Sequence, residues 1–194
     1  YSPCRRSTSW STSWSIQAIK ADFHTLYEDI RAAVDTLHAD GANGEFVVIG
    51  FDTRMLSEKF ARAAAELIAS ADVPVKLAIR DVPSPVLAAA VSELGASAGM
   101  VFTGSHNPPE FNGFKLGLGK TTIYGDEIQN VLQIIQSGQF AQGKGQVTEQ
   151  DVGPAYMEEV ARRVGKIARP LKMVVDAGNG AGGPFGPEIL RRVG

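Results

Sequence analysis

A single cysteine, Cys4, occurs in 194 residues, so no disulfide can form within the chain. That fits a reducing cytoplasm as the working compartment. No run of eighteen or more apolar residues is present, and no membrane span is expected. A dominant charge sign is also missing: 19 Lys and Arg stand against 21 Asp and Glu, a net charge of −2. Without a basic footprint or a block of like charge, nucleic acid is not an expected partner. The arginines near the start are followed by no continuous apolar stretch, which argues against a secretory signal.

What is present describes a globular chain. Hydrophobic residues make up 44% and charged residues 21%, enough apolar material for a core. Residues 1–15 are the exception. The low-complexity string at 7–14 (Ser-Thr-Ser-Trp twice) has no periodicity and is expected to be irregular or disordered.

After it, helical and strand patterns alternate. Phe23, Leu26, Tyr27, Ile30, Val34 and Leu37 fall on one face of a helix over 23–37. Residues 46–50 form a short apolar run of the buried parallel-strand type. Ser57 reads as the N-cap of an alanine-rich helix reaching about residue 70. A strand is expected over 73–79, then a helix from Pro83-Ser84-Pro85 to Leu94, with Pro85 tolerated in its first turn. Strands over 98–103 and 114–118 and a helix over 125–137 follow. Beyond a Gly- and Gln-rich stretch come a helix over 151–165, a strand over 172–176, a glycine-rich turn at 178–183 and a helix over 187–193. The fold class expected is α/β, a layered and mostly parallel or mixed sheet with helices on both faces. The division expected is one domain over 16–140, a linker over 141–152, and the beginning of a second α/β domain over 153–194.

The segment Thr103-Gly104-Ser105-His106-Asn107-Pro108-Pro109-Glu110-Phe111-Asn112-Gly113-Phe114-Lys115 carries the chemistry. A buried strand ends at Thr103, so Ser105 is presented at the carboxyl edge of the sheet, where open α/β sheets bind ligands. Pro108 and Pro109 stiffen the loop. His106 offers a titratable group and Lys115 a cation, a set suited to phosphoryl transfer. The residues alone fit a plainer reading equally, a Ser/Asn/Pro turn with a half-exposed histidine. Sequence neighbours on an extended strand point to opposite sides, so Ser105 and His106 are not automatically a nucleophile and its base.

This segment resembles the phosphoserine signature of the α-D-phosphohexomutase superfamily, Thr-Ala/Gly-Ser-His-Asn-Pro-x-x-Tyr/Phe-Asn-Gly-x-Lys, with Phe111 in the aromatic slot. Gly50-Phe51-Asp52-Thr53-Arg54 resembles the family's Gly-x-Asp-Thr-Arg. Val82-Pro83-Ser84-Pro85 is similar to its Val-Pro-Thr-Pro, and residues 175–182 resemble the start of its second domain. The resemblance implies an enzyme that interconverts hexose 1- and 6-phosphates through a phosphoserine and a hexose bisphosphate intermediate. Ser105 would carry the phosphoryl group, with His106 and Lys115 as catalytic neighbours. Asn107 would hold the loop or contact substrate, and Arg54 would contact substrate, with a loop brace between Arg54 and Asp52 as its alternative. It implies Mg²⁺ as cofactor, bound to Ser105 through its phosphate, with aspartates of an Asp-Gly-Asp-Gly-Asp loop outside these residues completing the site. The resemblance departs at 11–17, where the family has an aromatic and charged motif. With the metal loop and the later domains outside it, the 194-residue chain alone is expected to lack mutase activity.

Two rival readings remain. Residues 178–183 match Gly-x-Gly-x-x-Gly, and a strand before and helix after would suit a dinucleotide in an NAD-binding oxidoreductase. A non-catalytic sugar-phosphate-binding relic is the other. His24, His38 and His106 lack metal-ligand spacing.

Overall fold

The computed structural model describes residues 19–20, 46–118, 121–123, 126, 129, 133, 144–169 and 171–194. The string at 7–14, the helix expected over 23–37, Cys4, His24 and His38 lie outside the described residues. Of the helix expected over 125–137, Asp126, Gln129 and Gln133 are described, and all three are helical.

The strands are β1 (Ile19–Lys20), β2 (Val47–Phe51), β3 (Val75–Ala78), β4 (Ala98–Phe102), β5 (Phe111–Asn112), β6 (Phe114–Leu118), β7 (Thr121–Thr122) and β8 (Val147–Gln150). Four helices are complete among the described residues: α1 (Ser57–Ser70), α2 (Ser84–Leu94), α3 (Gly153–Val164) and α4 (Gly186–Val193). Six strands make one sheet in the order β7-β6-β4-β2-β3-β8. Neighbours from β4 to β8 in that order run parallel, and β6 and β7 join antiparallel. The sheet is therefore mixed, as expected.

β2 is central because every one of its side chains finds apolar cover. Val47, Ile49 and Phe51 face Phe60, Ala61, Ala64, Ala65 and Ile68 of α1. Val48 faces the other way, towards Val86, Leu87, Ala90 and Val91 of α2. The period of two along the strand thus distributes the core to both faces. Small alanines let α1 lie close to the sheet. On the opposite face, a side chain at Gly99 would collide with Val91, so glycine there lets α2 approach. Val152, just before α3, and Tyr156 and Met157 on it continue this second core, and Phe185 and Ile189 bring α4 onto it.

Three features differ from the sequence reading. Ser57 is the first helical residue, not the N-cap; Leu56 precedes it with φ 71° and no side chain caps the helix. Residues 147–150, inside the stretch expected as linker, form edge strand β8, paired in register from Val75↔Val147 to Ala78↔Gln150. Residues 172–176 are not a strand, and among the described residues no strand lies paired with them. Val174 there is 99% exposed, so the apolar pattern has no face to bury.

Candidate active site

β2 and β4 are neighbours, but the chain leaves β2 towards β3 on one side and returns to β4 on the other. The two connections carry α1 and α2 on opposite faces, and the order of strands reverses between β2 and β4. Crevices at the carboxyl ends of parallel strands open at such a reversal. The loop after β2 holds Asp52 and Arg54; the loop after β4 holds Ser105, His106 and Asn107. The Asp52 N–H donates to the Phe102 carbonyl at 2.9 Å and fastens the two exits together.

Two consecutive turns shape the second loop. The Asn107 N–H donates to Gly104 O at 2.9 Å, and the Phe111 N–H to Pro108 O at 3.0 Å, with Pro109 inside the second turn. Ser105 sits in the first turn at φ 52°, a left-handed conformation that costs an L-residue about 1–2 kcal/mol. Its N–H donates to Thr103 Oγ1 at 3.0 Å. Because the backbone turns here instead of extending, neighbouring side chains converge, and Ser105 Oγ lies 3.4 Å from His106 Nδ1. Both are exposed.

Arg54 fills the inside of this loop. Nη1 donates to Pro108 O (2.8 Å) and Phe111 O (3.0 Å), and Nη2 to Ser105 O (2.9 Å) and Asn107 O (2.6 Å). Nε faces Asp52 Oδ2 at 3.7 Å. The guanidinium lies against Gly104, where a Cβ would come within 2.6 Å of Cζ. Asp52 is held in turn: its Oδ1 accepts from the Arg54 backbone N–H at 2.9 Å and from Ser57 Oγ at 2.6 Å. Ser57 Oγ accepts from Asn112 Nδ2 at 2.8 Å, and Asn112 Oδ1 accepts from the Gly113 N–H at 2.9 Å. Among the described residues Ser57 and Asn112 are the buried polar ones; they bond to each other, and Asp52 and the Gly113 N–H complete their partners.

Lys115 is placed differently. It pairs with Val101 across β4–β6, on the α2 side of the sheet, four residues before Ser105 in register. Among the described residues no hydrogen bond or ion pair joins it to Ser105 or His106. Asn107 contributes its carbonyl to Arg54. Ser57 and Asn112 were not singled out by sequence reasoning as parts of the site; only the Asn-Gly step after the aromatic residue signals the second. β1 pairs antiparallel with β5, Lys20 opposite Phe111, so a segment well upstream touches the end of the loop.

Among the described residues no group of three or more His, Cys, Asp or Glu could hold a metal ion. The glycine-rich segment 178–183 lacks the preceding strand that a dinucleotide site requires, and α4 begins only at Gly186, which removes the support for a nicotinamide enzyme.

Comparison with known proteins agrees with this geometry. The family described as phosphoglucomutase/phosphomannomutase, alpha/beta/alpha domain I, matches residues 12–142. The chain belongs to this family. It is 44% identical over 108 residues to a phosphoglucomutase of Neisseria gonorrhoeae, covering 55% of this chain and 23% of that protein. A phosphomannomutase/phosphoglucomutase of Pseudomonas aeruginosa is 37% identical over 113 residues, covering 58% and 24%. The crystal structure of a phosphoglucomutase/phosphomannomutase family protein from Burkholderia thailandensis superposes with a TM-score of 0.80 at 34% identity, over 93% of this chain and 40% of that one. The chain thus spans about a quarter of the length of these two relatives.

Proposed function

We propose that the protein carrying this chain is a phosphohexomutase, with hexose 1- and 6-phosphates as substrates and Ser105 as the phosphoryl carrier. The observation that carries this reading is Ser105 itself: an exposed hydroxyl in a left-handed turn at the sheet's switch point, 3.4 Å from an imidazole nitrogen. Phosphorylated Ser105 gives its phosphoryl group to the free hydroxyl of a sugar monophosphate. The P–O bond to Ser105 breaks and a P–O bond to the sugar forms; the sugar hydroxyl proton passes to a nearby base, and the departing Ser105 oxygen takes up a proton to become a hydroxyl again. The hexose bisphosphate reorients and returns its other phosphoryl group to Ser105. His106 and Lys115 are the proton-handling and phosphate-contacting candidates, and Asn107 the candidate for substrate contact. Phosphoglucomutase activity is the first choice of substrate and phosphomannomutase the second.

Mg²⁺ is the cofactor of this reading. It would supply positive charge at the phosphoryl group, with Ser105 binding it through the phosphate. The described residues offer no carboxylate cluster for it, so the remaining ligands would come from outside them. A division into a first domain and the beginning of another belongs to the same proposal, with the boundary moved from residue 140 to beyond β8, because residues 147–150 complete the first sheet.

The test is phosphoryl transfer from a hexose 1,6-bisphosphate labelled on phosphorus. Label is expected on Ser105 by peptide mass spectrometry, and Ser105→Ala in the full-length protein is expected to lower turnover on the order of 10³-fold or more. Full turnover by Ser105→Ala, or label on another residue, overturns the reading.

A further inference from the structure

The guanidinium of Arg54 has two terminal nitrogens, and their four N–H groups meet four backbone carbonyls of a loop 51 to 57 residues away. Its side chain is only 16% exposed, and Asp52 stands at the remaining Nε. A residue so committed has no terminal N–H left for a ligand, and its Nε–H faces the Asp52 carboxylate. We propose that Arg54 is the positioning residue of the Ser105 loop: it holds the nucleophilic turn in its strained conformation through the loop's own carbonyls and does not contact substrate. This rests on the assignment of Ser105 above and replaces the expectation that Arg54 binds substrate.

Four observations carry the inference. The accepting carbonyls, of Ser105, Asn107, Pro108 and Phe111, belong to both turns, so one planar group sets their relative orientation. Each of the two loops holds a left-handed residue: Ser105 (φ 52°), whose carbonyl accepts from the guanidinium, and Leu56 (φ 71°), two residues after Arg54 in the chain. Such conformations persist only where surrounding contacts over-determine them. Gly104 leaves open the space the guanidinium occupies, since any side chain there would overlap it. Finally, the carboxylate that orients Arg54 is tied through buried Ser57 to Asn112, at the far end of the same loop. The loop is gripped from inside by Arg54 and at its exit by Asn112.

The arrangement has an electrostatic consequence. Four carbonyl oxygens directed at one cation are not free to turn towards an anion at Ser105. Arg54 thereby removes a repulsion that a phosphoryl group would otherwise meet, and its positive charge lies behind the turn. Lysine cannot substitute. Its ammonium has three donors on a flexible stem and no planar fork, so it satisfies some of these carbonyls and orients none of them as a set.

The experiment compares Arg54→Lys and Arg54→Ala with the parent in the full-length protein. For Arg54→Lys, kcat is expected to fall on the order of 10²-fold, the cost of misplacing a reacting group by about an ångström, with KM for hexose phosphate within about twofold. Added guanidinium ion is expected to restore part of the kcat of Arg54→Ala, and equal sodium chloride or urea to restore none. Amide exchange at Ser105, Asn107 and Phe111, whose N–H groups bond within the loop, is expected to quicken in both variants and to slow again with guanidinium. A rise in KM with kcat kept would make Arg54 a substrate contact and overturn the proposal. So would unchanged loop exchange, or loss of activity that guanidinium does not restore in a variant that stays folded. If the parent protein shows no mutase turnover, the functional reading fails, and the loop-exchange arm still decides the role of Arg54.

Discussion

Ser57 begins α1 and caps nothing, yet it is fully buried, with its hydroxyl donating to Asp52 and accepting from Asn112. Ser57→Ala leaves Asn112 Nδ2 without its acceptor in a site closed to water. We expect a loss of about 1–3 kcal/mol, the desolvation penalty of an unsatisfied buried group. A denaturant titration checks it, and a change within error would mean the amide finds another partner. Residues adjacent in sequence were the legible part of this site. Ser105, His106 and Asn107 stand in one string with a recognisable turn chemistry. The contacts of Arg54 cross 51 to 57 residues, and nothing local distinguishes a guanidinium that will meet carbonyls from one that will meet a ligand. Pairing at 3.4 Å between Ser105 and His106 was likewise hidden, because it depends on a positive φ at a serine, where sequence rules assign an extended backbone.

At the scale of elements, β2, α1, β3, α2, β4 and β6 lie where their apolar periods place them, with ends shifted by one or two residues. Two segments went the other way for one reason: strand formation depends on a partner more than on composition. β8 (Val-Thr-Glu-Gln) is polar and exposed, but its backbone completes the ladder of β3. Residues 173–175 (Met-Val-Val) are apolar, two of them β-branched, and pair with no strand among the described residues. On α3, Glu159 accepts from Arg162 Nε at 2.7 Å and Arg163 Nε at 2.6 Å. The arginine hydrogen bonds, that of Arg162 first, hold its carboxyl at about 2, below the ordinary 4.5. A depressed folded-state value contributes stability that is present above pH 4.5 and lost as pH falls towards 2. Glu159→Gln is therefore expected to lower the melting temperature slightly near neutrality, and to narrow its difference from the parent as the pH drops through that window. The pair is solvent-screened, so the effect is small. Melting curves at pH 2 to 7 test it; a constant difference across the window would refute it.

For the whole molecule, the family match ends at residue 142, but the sheet does not. Gln146 O accepts from the Val75 N–H at 2.8 Å, Gln150 O from the Ile79 N–H at 3.2 Å, and Glu149 pairs with Arg62 at 3.3 Å. A protein cut at residue 142 would bare the side of β3, with its N–H and C=O groups ready to pair with another copy. We expect it to melt lower than one cut at residue 165 and to associate in light scattering; equal monomers of equal stability would contradict this. The same strand bears on synthesis. Because β8 is made last of the six, the nascent sheet carries an open margin until residue 150 has cleared the ribosome. Translation speed across the Gly- and Gln-rich stretch then sets how long a chaperone must shield that margin.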